Sequence, residues 1–133
     1  MTMANSLNFH EDCFACSQKS SHGLKLQFKY ADDTVICQTK IDKLHQSYDG
    51  IVHGGIIATV LDATMIQCLR YKFSKNPFTN RLEIKYREPI PVDSQIIVNA
   101  SLVDKRGKFC WVESNITNNK KVCAIAKGVF KLI

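Results

Sequence analysis

A chain of 133 residues, 45% apolar and 23% charged, fits one globular domain with a single substantial core and excludes wholesale disorder. No run approaches the roughly 18 uncharged apolar residues of a membrane span, and the start, MTMANSLNFHEDC, lacks the basic-then-apolar pattern of a secretory signal. The formal charge of +6 favours an anionic partner, but Lys and Arg are scattered and accompany no nucleic-acid motif, so a phosphate-bearing small molecule is expected rather than DNA or RNA.

Leu24, Leu26, Phe28 and Tyr30 alternate with Lys25, Gln27 and Lys29, which predicts a half-buried strand. Asp32-Asp33 marks a turn, and Val35 to Ile41 alternates again. From Gly54 to about Phe73 the period changes: Ile57, Val60, Leu61, Thr64, Met65, Cys68 and Leu69 fall on one helical stripe. Asn76-Pro77 ends that pattern, Leu82, Ile84 and Tyr86 alternate, and Pro89-Ile90-Pro91 interrupts because proline cannot donate to a central ladder. Ser94 to Asp104 and Lys108 to Thr117 read as a hairpin about Arg106-Gly107. Asn118-Asn119 turns the chain once more, and Val122 to Leu132 closes it. Two strands, one helix and four strands on short turns imply an antiparallel sheet curled around the helix, an α+β architecture.

Cys37, Cys110 and Cys123 sit inside alternating apolar runs and Cys68 on the helical stripe, where cysteine acts as a small hydrophobe. All six cysteines are expected to be thiols in the reducing cytoplasm. The spacing of His10, Cys13, Cys16 and His22 suits zinc loosely, but a structural knuckle has two clearly separated ligand pairs. No metal is expected, and residues 1–22 are expected to pack on the single domain spanning 1–133.

Gly54 and Gly55 open the helix, where backbone N–H groups lack intrahelical acceptors and the macrodipole is positive. A tip without side chains lets a carbonyl oxygen that turns negative during acyl transfer approach those donors. The same glycines would also serve close packing of helix on sheet. Asp62 lies off the main stripe among Gly55, Ala58, Thr59 and Ile66, so it is either a base raised by apolar surroundings or a structural partner of a hydroxyl such as Thr79. Gly54 and Asp62 stand about 12 Å apart along the axis, too far for one chain to bring both to one carbonyl. If both are catalytic, Asp62 comes from a second copy packed antiparallel, and symmetry yields two sites.

The segment GIVHGGIIATVLDATM resembles the signature of hotdog-fold thioesterases of the phenylacetate-degradation type. The likeness extends to CFACSQKSSHGLKLQF, TNRLEIKYREPIP and DKRGKFCWVESNITNNKKVCAIAKGVF, most of the chain. It implies a hotdog fold, hydrolysis of an acyl-CoA, a homodimer or dimer of dimers, and no cofactor beyond the coenzyme A of the substrate. By that resemblance Asp62 is the general base or nucleophile, the Gly54 N–H polarises the thioester, His53 holds the thioester end, and Thr79 orients water. Ser47 stands where many members place Asn or Gln, and Ala63 where many have Glu, which leaves Asp62 the only acid on its turn. Tyr86 to Ile90 and Lys105 to Phe109 match regions that contact coenzyme A. Arg87, Lys105, Arg106 and Lys108 would meet phosphates there, or else form a solvated strand end and hairpin; Gly55 and Tyr86 complete the implied binding set. A non-catalytic acyl-CoA-binding module and a hotdog dehydratase or hydratase are the competing readings.

Overall fold

The computed structural model describes residues 12–133 and the backbone of residues 2–3. In chain order the elements are β1 (Thr2–Met3), β2 (Phe28–Ala31), β3 (Thr34–Lys40), a 3-10 turn (Lys43–His45), α1 (Gly54–Phe73), β4 (Pro77–Tyr86), β5 (Gln95–Arg106), β6 (Phe109–Asn118) and β7 (Lys121–Leu132). The strands form one sheet in the order β1-β2-β3-β5-β6-β7-β4, with every neighbouring pair antiparallel. Strand β4, the first after the helix, crosses over to become a sheet edge beside β7.

Alternation and turn chemistry account for most of this. Inward positions of β5 and β6, such as Ile96, Val98, Val112 and Ile116, are buried to 1% exposure or less, and outward neighbours such as Gln95 and Glu113 are exposed. Between β6 and β7, Asn119 and Lys120 both take positive φ, at 51° and 65°, as a two-residue hairpin turn requires. The predicted helical stripe of α1 is buried throughout, from Ile57 to Leu69. Fully burying each such Leu, Ile, Val or Met contributes about 1.5–3 kcal/mol. Gly128 of β7 leaves room for its neighbours: a Cβ there would stand 2.5 Å from the Phe130 ring and 3.2 Å from the Met65 sulfur of the helix.

The first predicted strand is shorter than its alternation suggests. Ladder pairing begins at Phe28, while Leu24 and Leu26 donate their N–H groups to the carbonyls of Phe14 and Ala15 at 2.8 and 2.9 Å. Lys25 between them takes φ 54°, which breaks the strand conformation. Leu26 is nevertheless buried, so the alternation marks burial correctly although the backbone pairs with the preceding turn.

A second stripe of α1 remains half covered: Ala58, Thr59, Asp62, Ala63 and Ile66 are partly exposed and Gly55 is exposed. Its residues are small for the most part, and the chain's own sheet leaves this face accessible.

Candidate active site

The start of α1 is held by side chains from both directions. His53 is the N-cap, with extended backbone at φ −61° and ψ 134°, and its Nδ1 accepts the Gly55 N–H at 2.8 Å. The His53 carbonyl accepts from Ile56 and Ile57 at 2.9 and 3.1 Å. Of the first four N–H groups in the helix, only that of Gly54 has no acceptor among the described residues. A neutral imidazole that accepts at Nδ1 carries its proton on Nε2, so exposed His53 presents a second donor at the helix tip.

Tyr86, at the end of β4, donates its hydroxyl to the Gly54 carbonyl at 2.8 Å. The glycines are not required for packing on the sheet. A Cβ on Gly54 would meet the Tyr86 ring at an ordinary 3.8 Å, and one on Gly55 would press on the His53 ring at 3.0 Å. What Gly55 makes room for is the imidazole cap, and what Gly54 leaves open is the approach to its own N–H.

Two turns further along α1, Asp62 Oδ1 accepts the Thr79 hydroxyl at 2.8 Å. Burial pushes the Asp62 carboxyl above its ordinary value of 3.8, and the Thr79 hydrogen bond partly counteracts that rise. The sequence offered a base and a hydroxyl partner as alternatives for Asp62. The structure joins them in one pair, with the carboxyl on the half-covered stripe.

The structure therefore gathers the expected residues into two groups, His53-Gly54-Gly55-Tyr86 and Asp62-Thr79, separated by about 12 Å of helix. Other candidates lie elsewhere. Ser47 is exposed, and its hydroxyl reaches only the Ile51 carbonyl of its own loop, at 3.5 Å. Lys105 sits 5.5 Å from the centre of the Phe73 ring, at the far end of α1 from Gly54, and also donates to the Gly107 carbonyl at 2.8 Å. Arg106 pairs with Asp104 at 3.1 Å and stacks 5.5 Å from Trp111. Arg87 and Lys108 are exposed, Arg87 following Tyr86 and Lys108 in the β5–β6 turn. Within one chain the basic hairpin and the Tyr86-Arg87 corner thus occupy opposite ends of the helix.

Sequence reasoning missed the supports of the tip. Gln46 Oε1 accepts the Gly50 N–H at 3.0 Å, and the His45 carbonyl accepts the His53 N–H at 3.0 Å. His45 is in turn placed by a 2.7 Å contact of Nε2 with the His22 carbonyl and an edge-on Phe14 ring. The position of His53 just before two helix-opening glycines was the available signal for the cap. The remaining contacts are tertiary.

Of the zinc pattern, His10 lies outside the described residues. Cys13 and Cys16 are half buried against the core, and no three His, Cys, Asp or Glu side chains among the described residues form a group that could hold a metal. All six cysteines are free thiols, and burial pushes Cys37 up to about 12 and Cys68 up to about 11. No described helix is long and apolar enough to cross a membrane.

A sheet rolled about one long helix is the hotdog fold, and solved structures share it. A hypothetical thioesterase protein from Streptococcus pneumoniae, solved with coenzyme A, superposes with a TM-score of 0.75 at 20% identity, covering 80% of this chain and 87% of that one. Thioesterase superfamily member 2 from Mus musculus gives 0.74 at 21% identity, over 82% and 83%. The family model described as the Thioesterase superfamily matches residues 49–124, which include both residue groups, and the chain belongs to that family. Rattus norvegicus acyl-coenzyme A thioesterase THEM4 is 32% identical over 106 residues, 77% of this chain and 45% of the rat protein. Mus musculus acyl-coenzyme A thioesterase 13 is 24% identical over 99 residues, 74% and 71% of the two chains. This chain spans less than half the length of the rat relative.

Proposed function

We propose that this protein is an acyl-CoA thioesterase of the phenylacetate-degradation type, cleaving a small or medium acyl- or aryl-CoA to free acid and coenzyme A. The observation that carries this reading is the pairing of one unoccupied N–H donor, on Gly54, with one half-buried carboxyl, on Asp62 beside Thr79. Gly54 opens the helix, and Asp62 lies on its stripe of small residues that the chain's own sheet leaves open.

In the proposed reaction a water held by Thr79 and Asp62 attacks the thioester carbon. Its proton passes to the Asp62 carboxylate, and the carbonyl oxygen, now negative, accepts from the Gly54 N–H. Collapse of the tetrahedral adduct breaks the carbon–sulfur bond, and the departing thiolate takes up the proton that Asp62 accepted, which restores the carboxylate. A donor aimed at such an oxygen is typically worth about 10²–10³ in rate. His53 Nε2–H and Ser47 are the further candidates for holding the thioester end.

The two groups meet across two copies of the chain, in a homodimer or dimer of dimers whose helices run antiparallel. Three features support that assembly. The small-residue stripe permits close helix approach, strand β4 has a free edge, and Phe78 and Tyr86 on it are 59% and 53% exposed. An antiparallel second copy would also bring its Lys105-Arg106-Lys108 hairpin toward this chain's Arg87 and so reunite the basic residues proposed to contact coenzyme A. Neither nucleic acid nor membrane enters this reading, and the six thiols suit a reducing cytoplasm.

A panel of acetyl-, hexanoyl- and phenylacetyl-CoA assayed with a thiol-detecting reagent tests the activity. Thiol release is expected, with Asp62→Asn lowering kcat on the order of 10²-fold or more. Binding of the thioesters without any thiol release would turn the reading toward a non-catalytic module.

A further inference from the structure

We propose that Tyr86 is a positioning residue: its hydroxyl and the His53 imidazole clamp the Gly54–Gly55 peptide from its two sides and so restrain Gly54, whose own N–H, on the adjoining His53–Gly54 peptide, is the proposed donor. The inference rests on the thioesterase reading for its catalytic consequence, while the clamp itself stands on geometry.

Two consecutive glycines at a helix start are weakly restrained by sterics, since glycine has no Cβ to limit φ and ψ. A donor that stabilises a transient oxyanion must instead be oriented before the reaction begins. Here the carbonyl of the Gly54–Gly55 peptide accepts the Tyr86 hydroxyl at 2.8 Å, and its N–H donates to His53 Nδ1 at 2.8 Å. Both clamping groups are anchored elsewhere. The Arg87 N–H, one residue beyond Tyr86, donates to the Cys123 carbonyl at 2.8 Å, and Tyr86 itself pairs with Ala124 of β7. The His53 N–H is held by the His45 carbonyl at 3.0 Å. The tyrosine ring lies alongside Gly54, its nearest atom 3.8 Å from where a Cβ would stand, so both ring and hydroxyl bear on the same peptide. Strand β4 thereby reaches the first residue of the helix through the Tyr86 side chain.

Tyr86→Phe removes only the oxygen, and a half-exposed neutral hydrogen bond contributes too little to threaten folding. With hexanoyl- and phenylacetyl-CoA, kcat is expected to fall roughly tenfold while KM stays within about twofold. In a two-dimensional nitrogen–proton spectrum, the Gly55 amide resonance should move further than that of Gly107, a hairpin glycine distant from the tip. KM rising with kcat intact would make Tyr86 a coenzyme A contact and overturn the clamp, as would an unmoved Gly55 resonance. Should the wild-type chain release no thiol from either substrate, the thioesterase reading fails, and the Gly55 resonance alone decides the clamp in the same two directions.

Discussion

Asp62 and Thr79 share one hydrogen bond of 2.8 Å, and the sign of its effect on the carboxyl is opposite to that of burial. Replacing the hydroxyl by an isosteric methyl in Thr79→Val leaves desolvation in place and removes the opposing influence, so the carboxyl rises further. If Asp62 is the base, the acid limb of the kcat/KM profile, followed over about pH 4 to 9, moves to higher pH. A limb that stays put or moves down would separate Thr79 from the tuning of Asp62. The same raised carboxyl has a consequence for stability. The folded chain holds the Asp62 proton more tightly than the unfolded chain does, so stability falls as pH rises from the ordinary value of 3.8 through the folded one. The neutral amide of Asp62→Asn escapes that loss. Its Tm at pH 7 is therefore expected to equal or exceed that of the wild type, and lost activity in this variant is not lost fold.

At the scale of elements, β4 does what a regular strand could not. Thr79 and Tyr86 are an odd number of residues apart, which puts two side chains on opposite faces of a regular strand. Both nonetheless face α1, Thr79 at Asp62 and Tyr86 at Gly54. The pairing with β7 explains this: the register shifts between Thr79 and Arg81, leaving Asn80 as the extra residue of a bulge. Beyond it Arg81, Glu83 and Lys85 point outward, and Leu82 and Ile84 pack against the core. Deleting Asn80 restores simple alternation. With Leu82 to Tyr86 held by the core and β7, residues 77–79 turn over and Thr79 leaves Asp62. Thiol release by the deletion variant is expected to drop at least as far as in Thr79→Val, with cooperative unfolding preserved. Full activity in the deletion variant would mean that Thr79 need not face the helix.

For the whole molecule the question is whether one chain can complete the site. Its two groups are about 12 Å apart on one rigid helix, and nothing within a rigid helix closes that gap. Co-expression of two defective chains decides it, one carrying Asp62→Asn and the other Gly55→Ala, whose Cβ would press on the His53 ring at 3.0 Å. In a mixed dimer one site combines both defects, and the other combines the intact carboxyl of one chain with the intact tip of its partner. Activity well above either homodimer, approaching one working site in two, is expected. No gain in a purified mixed dimer would put the whole site within a single chain and remove the antiparallel pairing from the mechanism.

Local periodicity determined the elements. Alternation fixed which faces of β5, β6 and β7 turn inward, the helical stripe from Ile57 to Leu69 fixed the buried face of α1, and asparagine and glycine marked the turns. These are short-range consequences of backbone geometry, legible from neighbours along the chain. The spacing of T-x-x-L-x-I-x-Y even carries the β4 bulge, one residue longer before Leu82 than alternation allows. Only the tertiary structure decided that Thr79 meets Asp62 and that Tyr86 reaches Gly54. It also moved the start of β2 to Phe28, because Leu24 and Leu26 pair with a turn that periodicity does not reveal. The Asp62–Thr79 and Gly54–Tyr86 contacts join residues 17 and 32 positions apart, and they depend on where the sheet closes on the helix.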